Sequence, residues 1–197
     1  SESFKLKMGA EVFVNDYAEI DALRNFERGF EDARSSTWAE AEWYLSPRWT
    51  VRGGLRGSFF SESETARIEP RMAAAFQPYE NGTISIGAGR FSQAQDQTNR
   101  TLAPGISPAS ADHIQLSFQH ANSKRTIRAE VYHKDYNDFA VFNPSGIEAV
   151  GEGYAQGFDV FYRERSLIKN ADFWLTYSFV ESRRQFGAFN TEVQPQF

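Results

Sequence analysis

The sequence of 197 residues contains no cysteine, which excludes a disulfide framework and a thiolate metal site. This does not fix the compartment, because many exported bacterial proteins also avoid cysteine. No run approaches the roughly 18 consecutive apolar residues that a membrane-spanning helix needs. Excess positive charge is also missing: 21 Lys and Arg stand against 26 Asp and Glu, a formal net charge of −5. The basic residues gather only in pairs such as Lys124-Arg125 and Arg183-Arg184, so nucleic acid is not an expected partner. The opening SESFKLKMG has neither an initiator methionine nor the apolar core of a signal peptide. It reads as the start of a mature chain or of an internal piece.

What is abundant is aromatic side chains, 15% of residues, beside 24% charged ones. Strict alternation accommodates both. Residues 4–14 put Phe4, Leu6, Met8, Ala10, Val12 and Val14 on one parity and Lys5, Lys7 and Glu11 on the other, the period of a strand between two different surroundings. The same rhythm returns at 37–45, 49–61, 67–77, 83–91, 111–120, 125–132, 154–164 and 170–181. Nine strands are expected. Pro70 in the fourth must sit where no ladder donor is needed, and Tyr79-Glu80-Asn81-Gly82 is a hairpin signal. Residues 15–36 lose the alternation, and Ile20, Leu23, Phe26 and Phe30 recur at helical spacing; a long loop with a short helix is expected there. Further long connections are expected at 92–110 and around Asn143-Pro144-Ser145-Gly146.

Long connections follow strands 1, 5 and 7, and tight turns follow strands 2, 4, 6 and 8. Only SESET, after strand 3, is short where a long loop belongs. This is the meander of a transmembrane β-barrel. Phe4, Trp43, Trp49, Phe59, Phe76, Phe173 and Phe179 lie near strand ends on the apolar parity, as interfacial girdles do. Small residues between them, Ala39, Ala41, Gly53, Ala74 and Ala88, would close-pack poorly in a soluble core. The expected class is all-β: an antiparallel up-and-down meander, part of a transmembrane barrel, with about nine to ten strands present of a larger one. A soluble all-β binding module would use the same alternation, and a small outer-membrane barrel enzyme the same topology.

Catalytic chemistry has little support. His113, His120 and His133 lack metal-site spacing. Glu40 and Glu42 share a side without other marks of a glycosidase pair, and GAGRF at 87–91 lacks the context of a dinucleotide loop. No catalytic residue, metal site or cofactor is expected. Asp135, Tyr136, Asn137 and Asp138, near the outer end of the seventh strand, fit turn capping better than cation or sugar binding.

TARIEPRMAAAF, YENGTISIGAGRFSQ, SPASADHIQLSFQ, RAEVYHKDYNDFAVFN, GEGYAQGFDVFYRERSLIKNADFWLTYSFVESRRQF and VQPQF resemble consecutive barrel segments of TonB-dependent outer-membrane receptors. The likeness is strongest to a Bacteroidetes-type group with a carboxypeptidase-regulatory-like module. It implies a location in the Gram-negative outer membrane and energised uptake of a scarce large nutrient, such as an iron chelate, cobalamin or oligosaccharide. The full-length receptor would have the TonB complex, an extracellular nutrient ligand and a surface lipoprotein as partners, with outer-membrane lipid around it. Neither a plug nor a TonB-box-like segment is found, so residues 1–197 are expected to be a partial barrel domain lacking the plug and the remaining strands. Face and loop position then make Arg52, Arg56, Arg67, Glu69 and Arg71 candidate lumen contacts, with Tyr136, Phe139 and Phe142 as stacking surface.

Overall fold

The computed structural model describes residues 3–21, 26–169, 171–185 and 192–193. These form one antiparallel sheet whose spatial order follows the chain: β1 (Phe4–Asp21), β2 (Phe26–Ser46), β3 (Trp49–Phe60), β4 (Thr65–Tyr79), β5 (Gly82–Gln93), β6 (Ala109–Ala121), β7 (Arg125–Asn143), β8 (Gly146–Glu164), β9 (Phe173–Gln185) and β10 (Glu192–Val193). The helix α1 (Gln97–Leu102) lies between β5 and β6.

The apolar parity is exposed along the whole sheet, from Leu6 and Met8 through Leu55, Met72, Ile86, Leu116 and Val131 to Phe179. Among the described residues the buried hydrophobics are only Phe60, Ala140 and Val141, whereas Glu42, Glu69 and Glu164 are buried. Such a distribution inverts that of a soluble domain. With no second layer among the described residues to cover it, the apolar face is the lipid face, and the charged face lines an aqueous lumen.

Register places the membrane band. One ladder row runs from Trp43 through Val51, Ala74, Ile86, Leu116, Val131 and Phe158 to Phe179. At β2 this row lies just above a tight turn; at β9 it is the last apolar outward position before Glu181. Rows therefore climb across the apolar band, as tilted barrel strands require. The lower margin carries cross-strand aromatic pairs: Phe4–Trp43 at 5.6 Å, Trp49–Phe76 at 4.6 Å and Tyr162–Phe173 at 6.0 Å between centroids.

Several sequence expectations need correction. Residues 15–21 and 26–36 are strand and not part of a loop with a helix: β1 and β2 stay paired to Asp21↔Phe26. Above the bilayer no lipid selects apolar alternation, and cross-strand pairs suffice; Tyr17 stacks on Phe30 at 5.4 Å and Arg28 donates to Glu19 at 2.7 Å. Leu23 lies outside the described residues. The short helix sits instead at 97–102, capped by Asp96, whose Oδ1 accepts from the Asn99 N–H at 2.8 Å. Nor is the region around Asn143-Pro144-Ser145-Gly146 a long loop, since β7 and β8 extend until Asn143 pairs with Gly146. Residues 135–138 consequently lie within β7, where register shifts between Tyr136 and Phe139 and Asp138 has φ 61°; this is a bulge, not a turn cap. β9 starts at Phe173 and not at 170, a residue outside the described set along with 194–197. The Pro70 expectation holds: the β4–β5 ladder ends at Arg71↔Gly89, immediately before the proline.

Candidate functional site on the lumen wall

Alternation brings one parity of every strand to the lumen, and register then decides which side chains meet. A single inner row contains Lys7, Glu40, Gly54, Arg71, Gly89, His113 and Lys134. Gly54 and Gly89 leave room on either side of Arg71. One hollow of about 220 Å³ is lined by Glu40, Arg52, Arg71, Phe91, His113 and Gln115 over these glycines, and a neighbouring one of about 240 Å³ by Lys7, Trp38, Arg56 and Arg71. A Cβ on Gly89 would meet Arg71 Cγ at 3.0 Å and the Pro70 carbonyl at 3.2 Å, so a side chain there would make the Arg71 stem shift by a few tenths of an ångström.

Around the hollows runs a charge lattice. Arg52 Nη2 donates to Glu42 Oε2 at 2.9 Å, and its Nε lies 3.5 Å from Glu40. Arg56 bonds Glu11, donates to Ser36 Oγ at 3.0 Å and has its Nε 3.7 Å from Glu69. Arg71 donates to Glu69 Oε2 at 3.3 Å while its guanidinium lies 4.5 Å from the centroid of Phe91. Glu69, 2% exposed, also accepts from the Ser92 N–H at 3.1 Å. A carboxylate so buried persists because charged and backbone donors surround it. His113 Nε2 is buried without a hydrogen-bond partner.

Above this lattice the connection between β5 and β6 folds against the lumen side of the mouth. Arg100 bonds Asp32 at 2.8 Å and Glu62 at 2.6 Å and lies 3.8 Å over the Phe30 ring. Arg67 Nη2 donates to the Pro108 carbonyl at 3.0 Å and to Asp138 Oδ2 at 2.8 Å. Gln95 reaches the Ser107 and Asp138 carbonyls at 3.0 and 2.6 Å.

Of the residues singled out from the sequence, the structure unites Arg52, Arg56, Glu69 and Arg71. Arg67 serves the loop instead. Tyr136 and Phe139 stack at 5.2 Å, with Arg184 4.2 Å over Phe139, whereas Phe142 stands apart near the β7–β8 tip, paired with Ile147 and half exposed. Among the described residues no group of three His, Cys, Asp or Glu side chains could hold a metal ion.

Residues 6–196 match the family model described as "TonB dependent receptor-like, beta-barrel". The chain belongs to this family. No curated protein matches the chain. Solved structures similar to it include the FrpB iron transporter from Neisseria meningitidis (14% identity, TM-score 0.75, covering 93% of this chain and 34% of that one). The ferric yersiniabactin uptake receptor FyuA from Yersinia pestis is similar at 10% identity and TM-score 0.74, covering 94% and 33%. The RagAB peptide transporter is similar at 12% identity and TM-score 0.73, covering 94% and 28%. At these identities the likeness shows the fold, and the chain spans about a third of each relative.

As a member of the TonB-dependent receptor barrel family, the chain resides in the Gram-negative outer membrane. Sequence reasoning placed Trp38, Phe91, His113 and Gln115 on wall strands without singling them out as lining these hollows, and missed Arg100 at the mouth. The signal for the first four was available: Gly54, Gly87 and Gly89 fall on the polar parity, marking places where inner side chains give way. Arg100 carried no such signal.

Proposed function

We propose that residues 1–197 are part of the barrel wall of an energised outer-membrane transporter whose full-length form takes up a scarce large nutrient: an iron chelate, a cobalamin or an oligosaccharide. The observation that carries this reading is the inside-out sheet, apolar outward and charged inward, in a chain of this family. The plug, the remaining strands, the TonB complex and a surface lipoprotein belong to the full-length receptor in this proposal, and the Bacteroidetes-type affiliation is part of it.

Arg52, Arg56 and Arg71, with Glu69 holding the latter two, supply the charge-assisted contacts facing the passage. Phe91 and His113 add a flat and a hydrogen-bonding surface. Higher up, Tyr136 and Phe139 receive flat or glycan-like parts of the nutrient. Arg67 and Phe142 act less directly, the first through the loop it holds and the second at the hairpin tip. No catalytic step is proposed.

The test is energy-dependent nutrient uptake by cells carrying the full-length receptor. Arg52→Ala with Arg71→Ala should lower uptake at least about tenfold, the loss of one to two charge-assisted contacts, with assembly unchanged. Unchanged uptake would remove the lattice from the transport path.

A further inference from the structure

Parity alone would turn Phe139 away from the lumen. The inward side chains of β7 are even-numbered as far as Tyr136, which pairs with Gly153; yet Phe139 pairs with Gly151, so Asn137 and Asp138 together oppose one residue of β8. This bulge resets the alternation and brings Phe139 onto the face of Tyr136, where the two rings stack at 5.2 Å. Gly151 permits the approach, since a Cβ there would meet Val141 Cγ2 at 2.6 Å and the Phe139 carbonyl at 3.0 Å. Asp138 itself has φ 61°, in the left-handed region that aspartate and asparagine enter more readily than most side chains and that β-branched residues avoid.

Asp138 is also where the 94–108 connection meets the wall. Gln95 divides its Nε2 between the Ser107 carbonyl at 3.0 Å and the Asp138 carbonyl at 2.6 Å. Arg67 divides its Nη2 between the Pro108 carbonyl at 3.0 Å and Asp138 Oδ2 at 2.8 Å. Gln95 and Pro108 are both buried, so the base of the loop is closed. Each donor therefore spans from the loop to the residue that holds the bulge. The carbonyl and carboxylate of Asp138 serve the loop, while its backbone turn serves the rings.

We propose that Asp138 is a positioning residue for nutrient recognition: it keeps Phe139 beside Tyr136 in the lumen and fastens the loop base to that shelf, so that a nutrient seated on the rings is held beneath a docked loop. This rests on the reading of Tyr136 and Phe139 as nutrient contacts. The two roles separate by mutation. Asp138→Asn keeps the left-handed turn and removes the charge that Arg67 meets, whereas Asp138→Val opposes the turn itself.

The test measures concentration-dependent uptake by cells carrying the full-length receptor, with a ferric trihydroxamate, cyanocobalamin and a linear gluco-oligosaccharide as probes, beside amide hydrogen exchange of the purified receptor. The wild type should accumulate one of the three. For that probe Phe139→Ala and Asp138→Val should each raise the half-saturating concentration at least about tenfold, with the maximal rate within about twofold of wild type. Asp138→Asn should raise it about threefold and increase exchange over 94–108 by roughly tenfold. Heat-resistant electrophoretic migration verifies folding; if Asp138→Val does not assemble, Asp138→Asn decides, and unchanged half-saturation or unchanged loop exchange in it would overturn the proposal. A raised half-saturating concentration in Phe139→Ala but not in folded Asp138→Val, or a lowered maximal rate alone, would overturn the positioning role and leave the shelf as a nutrient contact. No change in Phe139→Ala, or accumulation of none of the probes, would remove the shelf from nutrient recognition and overturn the proposal with it.

Discussion

Glu69 and Ser92 are joined across a stretch of wall where β4 and β5 share no ladder: past the Arg71↔Gly89 pair, the Glu69 carboxylate accepts the Ser92 N–H at 3.1 Å. A side chain thus replaces the backbone seam that Pro70 interrupts. Its other oxygen holds Arg71 at 3.3 Å and faces Arg56, so the seam and the lumen lattice depend on one residue.

Glu69→Ala should accordingly destabilise the barrel by about 3 kcal/mol, the scale for removing one partner from a buried charged network. Glu69→Gln, which keeps an acceptor for Ser92, should cost less. The temperature at which the folded, fast-migrating form is lost on gels orders the two variants.

Arg100 ties the 94–108 connection to Asp32, Glu62 and the face of Phe30. Arg100→Ala should release this loop without unfolding the sheet, raising amide hydrogen exchange over 94–108 by roughly tenfold or more. Arg100→Lys should not restore protection, because a point charge cannot fork between two carboxylates and stack on a ring.

The outer end of the β1–β2 hairpin, above the apolar band, should be acid-sensitive. Hydrogen bonding from Arg28 holds the Glu19 carboxyl below its usual range. A depressed folded pKa means that the pair's stabilisation is present above the unfolded value of about 4.3 and is lost as pH falls through the lower folded value. Exchange at residues 17–20 should rise over that interval, and Arg28→Gln should flatten the dependence.

Face decides the cost of a charge. Leu116→Arg, on the outward row, should destabilise by about 2–4 kcal/mol near the bilayer midplane, whereas Gln115→Arg, one residue away on the lumen face, should be tolerated. Comparative refolding into lipid vesicles measures the difference.

Much of the fold was legible because the bilayer imposes alternation: β3, β5 and β6 lie close to their expected bounds, and the inner grouping of Arg52, Arg56, Glu69 and Arg71 follows from parity. Alternation fades where the bilayer ends. Residues 15–21, 26–36 and 137–153 lie beyond the apolar band, so the β1–β2 and β7–β8 hairpins extend without an apolar signature. The pairing of Arg56 with Glu69 needs a register that parity does not supply. Arg100 meets Asp32 and Glu62 only through the folding back of a loop, a relation between distant segments that local pattern does not carry.

The central claim is that β6 is membrane wall with lipid on one parity and water on the other. Spin labels placed singly at residues 114 to 118 of the full-length receptor in lipid vesicles, probed with oxygen and a water-soluble nickel complex, test it directly. Labels at 114, 116 and 118 should collide with oxygen and those at 115 and 117 with the nickel complex, alternating in opposite phase. Nickel accessibility at all five positions, or at 114, 116 and 118 in place of 115 and 117, would contradict the account.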